Sequence, residues 1–207
     1  IFHIILSIYL FAWIKKNGIM EKCGLVKPIY PASVFLFYIP MLIIATMKIW
    51  FGVTMKYSPL ETVFYAVSMI CVGFLEEIIF RSFLYKGMEK DNVKSAIIVS
   101  SITFGIGHIV NLFNASGQDF IQTIFQVIFA IAMGFMITIM FYKGKSLWPC
   151  IIFHSLNNSL SAISDDDAVI RTFGGGMTGF VVWVGIIVVI ATVYSIYMMK
   201  KLPKADA

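Results

Sequence analysis

Glu76-Glu77-Ile78-Ile79-Phe80-Arg81 is the stretch on which the reading of this chain turns. It lies inside an apolar run from about residue 60 to residue 86. An ionised side chain at the centre of a membrane-spanning helix costs at least ~2.5 to 3.5 kcal/mol, so two adjacent glutamates there need a reason. Glu77 and Arg81 are four apart and share a helix face, which allows a structural ion pair. One guanidinium cannot discharge two carboxylates. Glu76 must then be protonated, paired from another helix, or in contact with water in a cavity, and the last two describe a functional site.

The surrounding composition is that of a membrane protein. Apolar residues make up 59% and charged residues 13% of the chain, and the mean hydropathy is +0.89; soluble domains run at about 45 to 50% and about 25%. Seven apolar segments follow one another at approximately 1–14, 28–50, 60–86, 94–113, 120–142, 146–164 and 179–199. They lack the period-2 alternation of a barrel, so all read as helices. The expectation is an all-α polytopic membrane protein with about seven visible spans. It forms a single integral membrane domain over residues 1–207, whose motif-bearing core is about 60–164. The chain opens on Ile1 within an apolar run, and an upstream span, eight in the full chain, is expected.

Charge sets the expected orientation. Lys15, Lys16, Lys22, Lys27, Lys86, Lys90, Lys94, Lys143, Lys145, Lys200, Lys201 and Lys204 fall on one side of the segments. Only Lys48, Lys56 and Arg171 fall on the other, beside Asp165-Asp166-Asp167. The positive-inside rule makes the lysine-rich side cytoplasmic, with the C-terminus inside. The net charge of +5 thus reflects topology, and nucleic acid is set aside. Cys23, Cys71 and Cys150 are odd in number and widely spaced, so neither a disulfide framework nor a thiol metal site is indicated.

Polar residues deep in the apolar segments are few. Every Asp lies in a loop or tail, whereas His108 and His154 fall within the fourth and sixth segments. Counting from the flanking lysines at ~1.5 Å per residue puts Glu76, His108 and His154 roughly 13 to 21 Å deep, so they can meet at one level. His154 and Asn158 share a helix face, and Gly105 and Gly107 allow a neighbouring helix to approach His108 closely. Any one of these alone can be packing glue that hydrogen-bonds across helices. Together they supply what amide hydrolysis needs: a base for water in Glu76 with help from His108, oxyanion donors in His154 and Asn158, and a supporting Glu77–Arg81 pair. No HExxH, intramembrane Asp dyad or GxSxG elbow is present. A zinc site from Glu76, His108 and His154 stays open, since His₂Glu is a known catalytic ligand set. Gly174-Gly175-Gly176-Met177-Thr178-Gly179 matches GxGxxG without a βαβ context and reads as an external loop. Asn114-Ala115-Ser116 is a sequon on the outer side.

Glu76-Glu77-x-x-Phe80-Arg81, Phe104-x-x-x-His108 and His154-x-x-x-Asn158, in that order, resemble the three-motif signature of the CAAX protease and bacteriocin-processing family (CPBP, or Abi) of intramembrane glutamic endopeptidases. The resemblance covers about residues 60–164. It implies an all-helical fold of about eight spans that cleaves a membrane-associated peptide or protein. Glu76 and His108 would act on the water, His154 and Asn158 would form the oxyanion hole, and Glu77 with Arg81 would support them. It also implies a bacterial cell membrane, and roles in bacteriocin maturation, self-immunity or peptide signalling. No cofactor is expected. The alternative is a non-catalytic bacteriocin-immunity protein, or one whose deep carboxylates handle protons or a ligand.

Overall fold

The computed structural model describes residues 1–31, 33–113 and 119–202. Among the described residues 78% are helical, and the only β pairing is a single bridge between Val53 and Ser164. The helices are α1 (Phe2–Lys16), α2 (Phe35–Thr46), α3 (Pro59–Glu77), α4 (Lys86–Glu89), α5 (Val93–Gly107), α6 (Phe120–Gly144), α7 (Trp148–Ser159), α8 (Asp166–Thr172) and α9 (Gly176–Lys201). A π-helical stretch, Ile78–Tyr85, joins α3 to α4 without a break.

Among the described residues four helices are long and apolar enough to cross a membrane by length and composition: Pro59–Glu89, Val93–Leu112, Phe120–Gly144 and Gly176–Lys201. The other three expected segments are shorter than a span. The helix in segment 28–50 starts only at Phe35, later than the apolar run does. That in 146–164 ends its α-turns at Ser159 and passes through a 3₁₀ turn, Leu160–Ala162, into the Val53–Ser164 bridge.

Local chemistry fixes the ends of the long helices. Ser58 and Glu61 form a capping box ahead of α3, with Pro59 at the first helical position, and Asp119 with Gln122 does the same for α6. The sequon 114–116 lies outside the described residues.

Side-chain contacts give the helix directions. His3 Nδ1 is 2.9 Å from Ser68 Oγ, and Phe11 packs edge-on to Phe74, so α1 and α3 run parallel. Lys143, near the end of α6, donates to the Met199 and Leu202 carbonyls, so α6 and α9 also run together and the lysine helps satisfy carbonyls that a helix end leaves open. Ser101 Oγ meets Thr138 Oγ1 and Asn111 meets Gln126, so α5 and α6 are antiparallel. The ends carrying Lys15, Lys16, Lys86, Lys143 and Lys200 therefore gather at one end of the bundle. Lys56 pairs with Asp166 at 2.6 Å at the other.

Two seams are closed by glycine. A Cβ on Gly73 would lie 2.5 Å from Ser155 Oγ and 2.9 Å from Ser155 N, so α3 and α7 touch backbone to backbone. On α5 and α6, Gly105 presses on Ile131, and a Cβ on Gly134 would lie 2.8 Å from the Ser101 carbonyl. Small residues at such crossings let helices pack where no hydrophobic effect drives them together. Gly107, by contrast, has nothing within 4 Å of where a Cβ would stand and makes no close approach.

Candidate active site

Glu76 and Glu77 end the α-helical part of α3, and the π turns begin at Ile78. A π stretch inside an α-helix is rare and concentrates at functional sites. Glu77 and Arg81 are both fully buried, and Arg81 Nη1 donates to Glu77 Oε1 at 3.0 Å. Arg81 Nη2 reaches across to the Gly134 carbonyl on α6 at 3.3 Å. Its guanidinium carbon stands 4.3 Å from the centre of the Phe104 ring, a cation–π contact that stabilises a charge held away from water.

His154 stands between the two glutamates. Its Nδ1 is 2.8 Å from Glu77 Oε1, and its Nε2 is 3.5 Å from Glu76 Oε2. A carboxylate can only accept, so Nδ1 carries the proton in the Glu77 contact. That contact fixes the ring and points Nε2 at Glu76. The carboxylate that Arg81 could not discharge has its partner in His154, on another helix.

Phe104 packs edge-on against His154, His108 and Phe80. His108 Nδ1 lies 3.1 Å from the Phe104 carbonyl, leaving Nε2 to face outward from α5. Glu76, Phe80, Phe104, His108 and Asn111 line a cavity of about 200 Å³, room for several water molecules. Glu76 is partly open there, with 32% of its side chain exposed, while Glu77 is sealed.

The structure thus brings Glu76, Glu77, Arg81 and His154 into direct contact and sets His108 on the same cavity as Glu76. Asn158 follows His154 by one turn of α7. Its Oδ1 accepts from Asn157 Nδ2 at 3.3 Å, which leaves its own N–H₂ as the donor end, and it is not in the cavity lining. Three polar residues around the site escaped the sequence reading: Asn111, Gln126 and Asn157. Asn111 Nδ2 donates to Gln126 Oε1 at 2.8 Å. The spacing of three between His108 and Asn111 was the available signal for the first.

Among the described residues no group of three His, Cys, Asp or Glu side chains is arranged to hold a metal ion. One nitrogen of each histidine is already engaged, His108 with a carbonyl and His154 with Glu77.

Fold and site together define an all-helical integral membrane protein with a carboxylate–imidazole cluster inside its helix bundle. The family model of the type II CAAX prenyl endopeptidase Rce1-like proteins matches residues 58–160. The chain belongs to this family of CAAX proteases, the one its three motifs resemble. Family membership points to a peptidase with a peptide or protein substrate in the membrane. No curated protein and no solved structure matches the chain.

Proposed function

We propose that the protein is an intramembrane endopeptidase that hydrolyses a peptide bond of a membrane-associated peptide or protein, using water activated by Glu76 and His108. The observation that carries this reading is the shared cavity: Glu76 and His108 both line it, and His154 Nε2, outside its lining, stands 3.5 Å from Glu76 Oε2. Water bound between the Glu76 carboxylate and His108 loses a proton to Glu76 as its oxygen attacks the carbonyl carbon. The carbonyl oxygen takes up the negative charge, and the protons of His154 Nε2 and the Asn158 amide are the donors for it. Glu76 then returns its proton to the departing amide nitrogen as the C–N bond breaks, so the acid and base steps use one carboxyl. Glu77 holds the His154 ring and serves as its counter-charge, and Arg81 holds Glu77.

The reaction as proposed uses no metal ion or cofactor. The lysine-rich end of the bundle faces the cytoplasm and the C-terminus lies inside, in a bacterial cell membrane.

The test is Glu76→Gln, which keeps shape and hydrogen bonding but removes the base. The membrane peptidome of cells making this variant should accumulate uncleaved substrates that cells making the wild-type protein lack. Identical peptidomes from equally expressed, folded proteins would rule out the assignment.

A further inference from the structure

A second, larger cavity of about 480 Å³ shares no lining residue with the Glu76–His108 cavity but is linked to the proposed site through side chains. Its wall includes Lys48, Gln122, Gln126, Asn157, Ser161 and Asp166. Two contacts tie it to the site. Gln126 on its wall accepts from Asn111, which lines the Glu76–His108 cavity, and Asn157 on its wall donates to Asn158.

Lys48 is the unusual member of this wall. Its ammonium donates to the Asn157 carbonyl at 2.7 Å and to Ser161 Oγ at 2.9 Å, two neutral acceptors for a group with three N–H bonds. Among the described residues it forms no ion pair. Asp166, on the same wall, is engaged by Lys56 Nζ at 2.6 Å and by Ser164 Oγ at 2.7 Å. The rest of the wall is mostly apolar, with Ile44, Phe129, Phe180 and Trp183 among its residues, and the one carboxylate on it, Asp166, is in direct contact with Lys56 rather than Lys48; an ammonium held there only by neutral acceptors favours an anionic occupant with an apolar body over a neutral one.

We propose that this cavity is a substrate subsite in which Lys48 pairs with a carboxylate of the peptide being cleaved. The inference rests on the peptidase reading, which supplies the class of occupant; the Lys48 ammonium supplies its charge. Because Lys48 grips the carbonyl of Asn157, one residue from Asn158, a carboxylate seated on it would report to the end of α7 that carries the proposed oxyanion donor.

The experiment uses the full chain in phosphatidylcholine nanodiscs. The probes are dansyl-Leu-Val-Leu, whose single charge is its carboxylate, and the corresponding carboxamide. Binding is measured by fluorescence on the Glu76→Gln variant, so that turnover does not intervene. The acid should bind about tenfold more tightly than the amide, the size of one hydrogen-bonded charge contact. Adding Lys48→Gln should abolish that difference, and Lys48→Arg should keep it. A merely structural Lys48 would leave the preference for acid over amide unchanged in folded Lys48→Gln protein, which would overturn the proposal. Should phosphatidylglycerol in the nanodisc compete with the acid through Lys48, the anion is a lipid phosphate and the peptide assignment falls. Equal binding of acid and amide by a protein that still cleaves peptides would sink the subsite and leave the peptidase reading standing. Lys48-dependent preference in a protein whose Glu76→Gln variant leaves the membrane peptidome unchanged would keep the anion site and remove the peptidase reading.

Discussion

Glu77 Oε1 accepts from two side chains at once, His154 Nδ1 at 2.8 Å and Arg81 Nη1 at 3.0 Å. One oxygen of one carboxylate therefore joins the π stretch to α7. Removing either donor leaves a sealed carboxylate with one hydrogen bond fewer, and breaking the buried ion pair by truncating Arg81 costs ~3 to 5 kcal/mol.

Arg81→Ala should accordingly lower stability by about that amount, read as thermal unfolding in detergent micelles. The pair of changes Glu77→Gln and Arg81→Met should recover part of the loss and still turn over poorly, because a neutral carboxamide holds the His154 ring less firmly than a carboxylate does. An Arg81→Ala protein that unfolds at the wild-type temperature would contradict the ion-pair account.

Asn158→Ala should leave folding and substrate binding nearly intact and reduce kcat by ~10² to 10³, the usual loss for one oxyanion donor. Steady-state kinetics with kcat and KM separated would decide it. A change confined to KM would assign Asn158 to binding instead.

Gly73→Ala should destabilise by about 1 to 3 kcal/mol, since its methyl would press on the Ser155 backbone at 2.9 Å and overpacking carries that cost. Gly87→Ala is the control: nothing lies within 4 Å of its would-be Cβ, and the change should be neutral or gain up to ~1 kcal/mol through helix propensity. Equal unfolding temperatures for the two variants would show that α3 and α7 are not in such tight contact.

Activity should survive exhaustive chelation, and elemental analysis of the active protein should find no stoichiometric zinc. Zinc at one equivalent, with reversible loss of turnover on chelation, would recast Glu76, His108 and His154 as a His₂Glu metal centre.

A reporter fused after Ala207 should be active on the cytoplasmic side, because twelve lysines lie at one end of the segments and three basic residues at the other. Activity on the outer face would invert the orientation of the whole bundle. Lys204, one of the twelve, lies outside the described residues.

The long spans were legible because hydropathy over ~20 residues is a strong signal. Where the short helices stop was not legible, since hydropathy scores an apolar loop such as 28–31 and an apolar helix alike. The Glu77–Arg81 contact followed from spacing along one helix. The Glu77–His154 contact did not, because the two residues are 77 apart in sequence and a single chain carries no co-variation to join them. The π turns of Ile78–Tyr85 left no mark either, as their residues suit an ordinary helix equally well. Gly105 and Gly107 looked equivalent as close-packing sites, yet only Gly105 lies against a neighbouring helix. Spacing alone does not say which side of a helix meets its neighbour.

The glycine seams have a mechanical consequence. α3 with α7, and α5 with α6, are each zipped by backbone contact, so each pair behaves as a stiff plank that resists gradual sliding. Glu76 and His154 ride on one plank and His108 on the other. Arg81 is a rivet between them, holding Glu77 on its own side and the Gly134 carbonyl across the gap. Widening the cleft for a peptide must therefore pivot near that rivet, and its loss would let the planks drift out of register even if another group restored the missing charge.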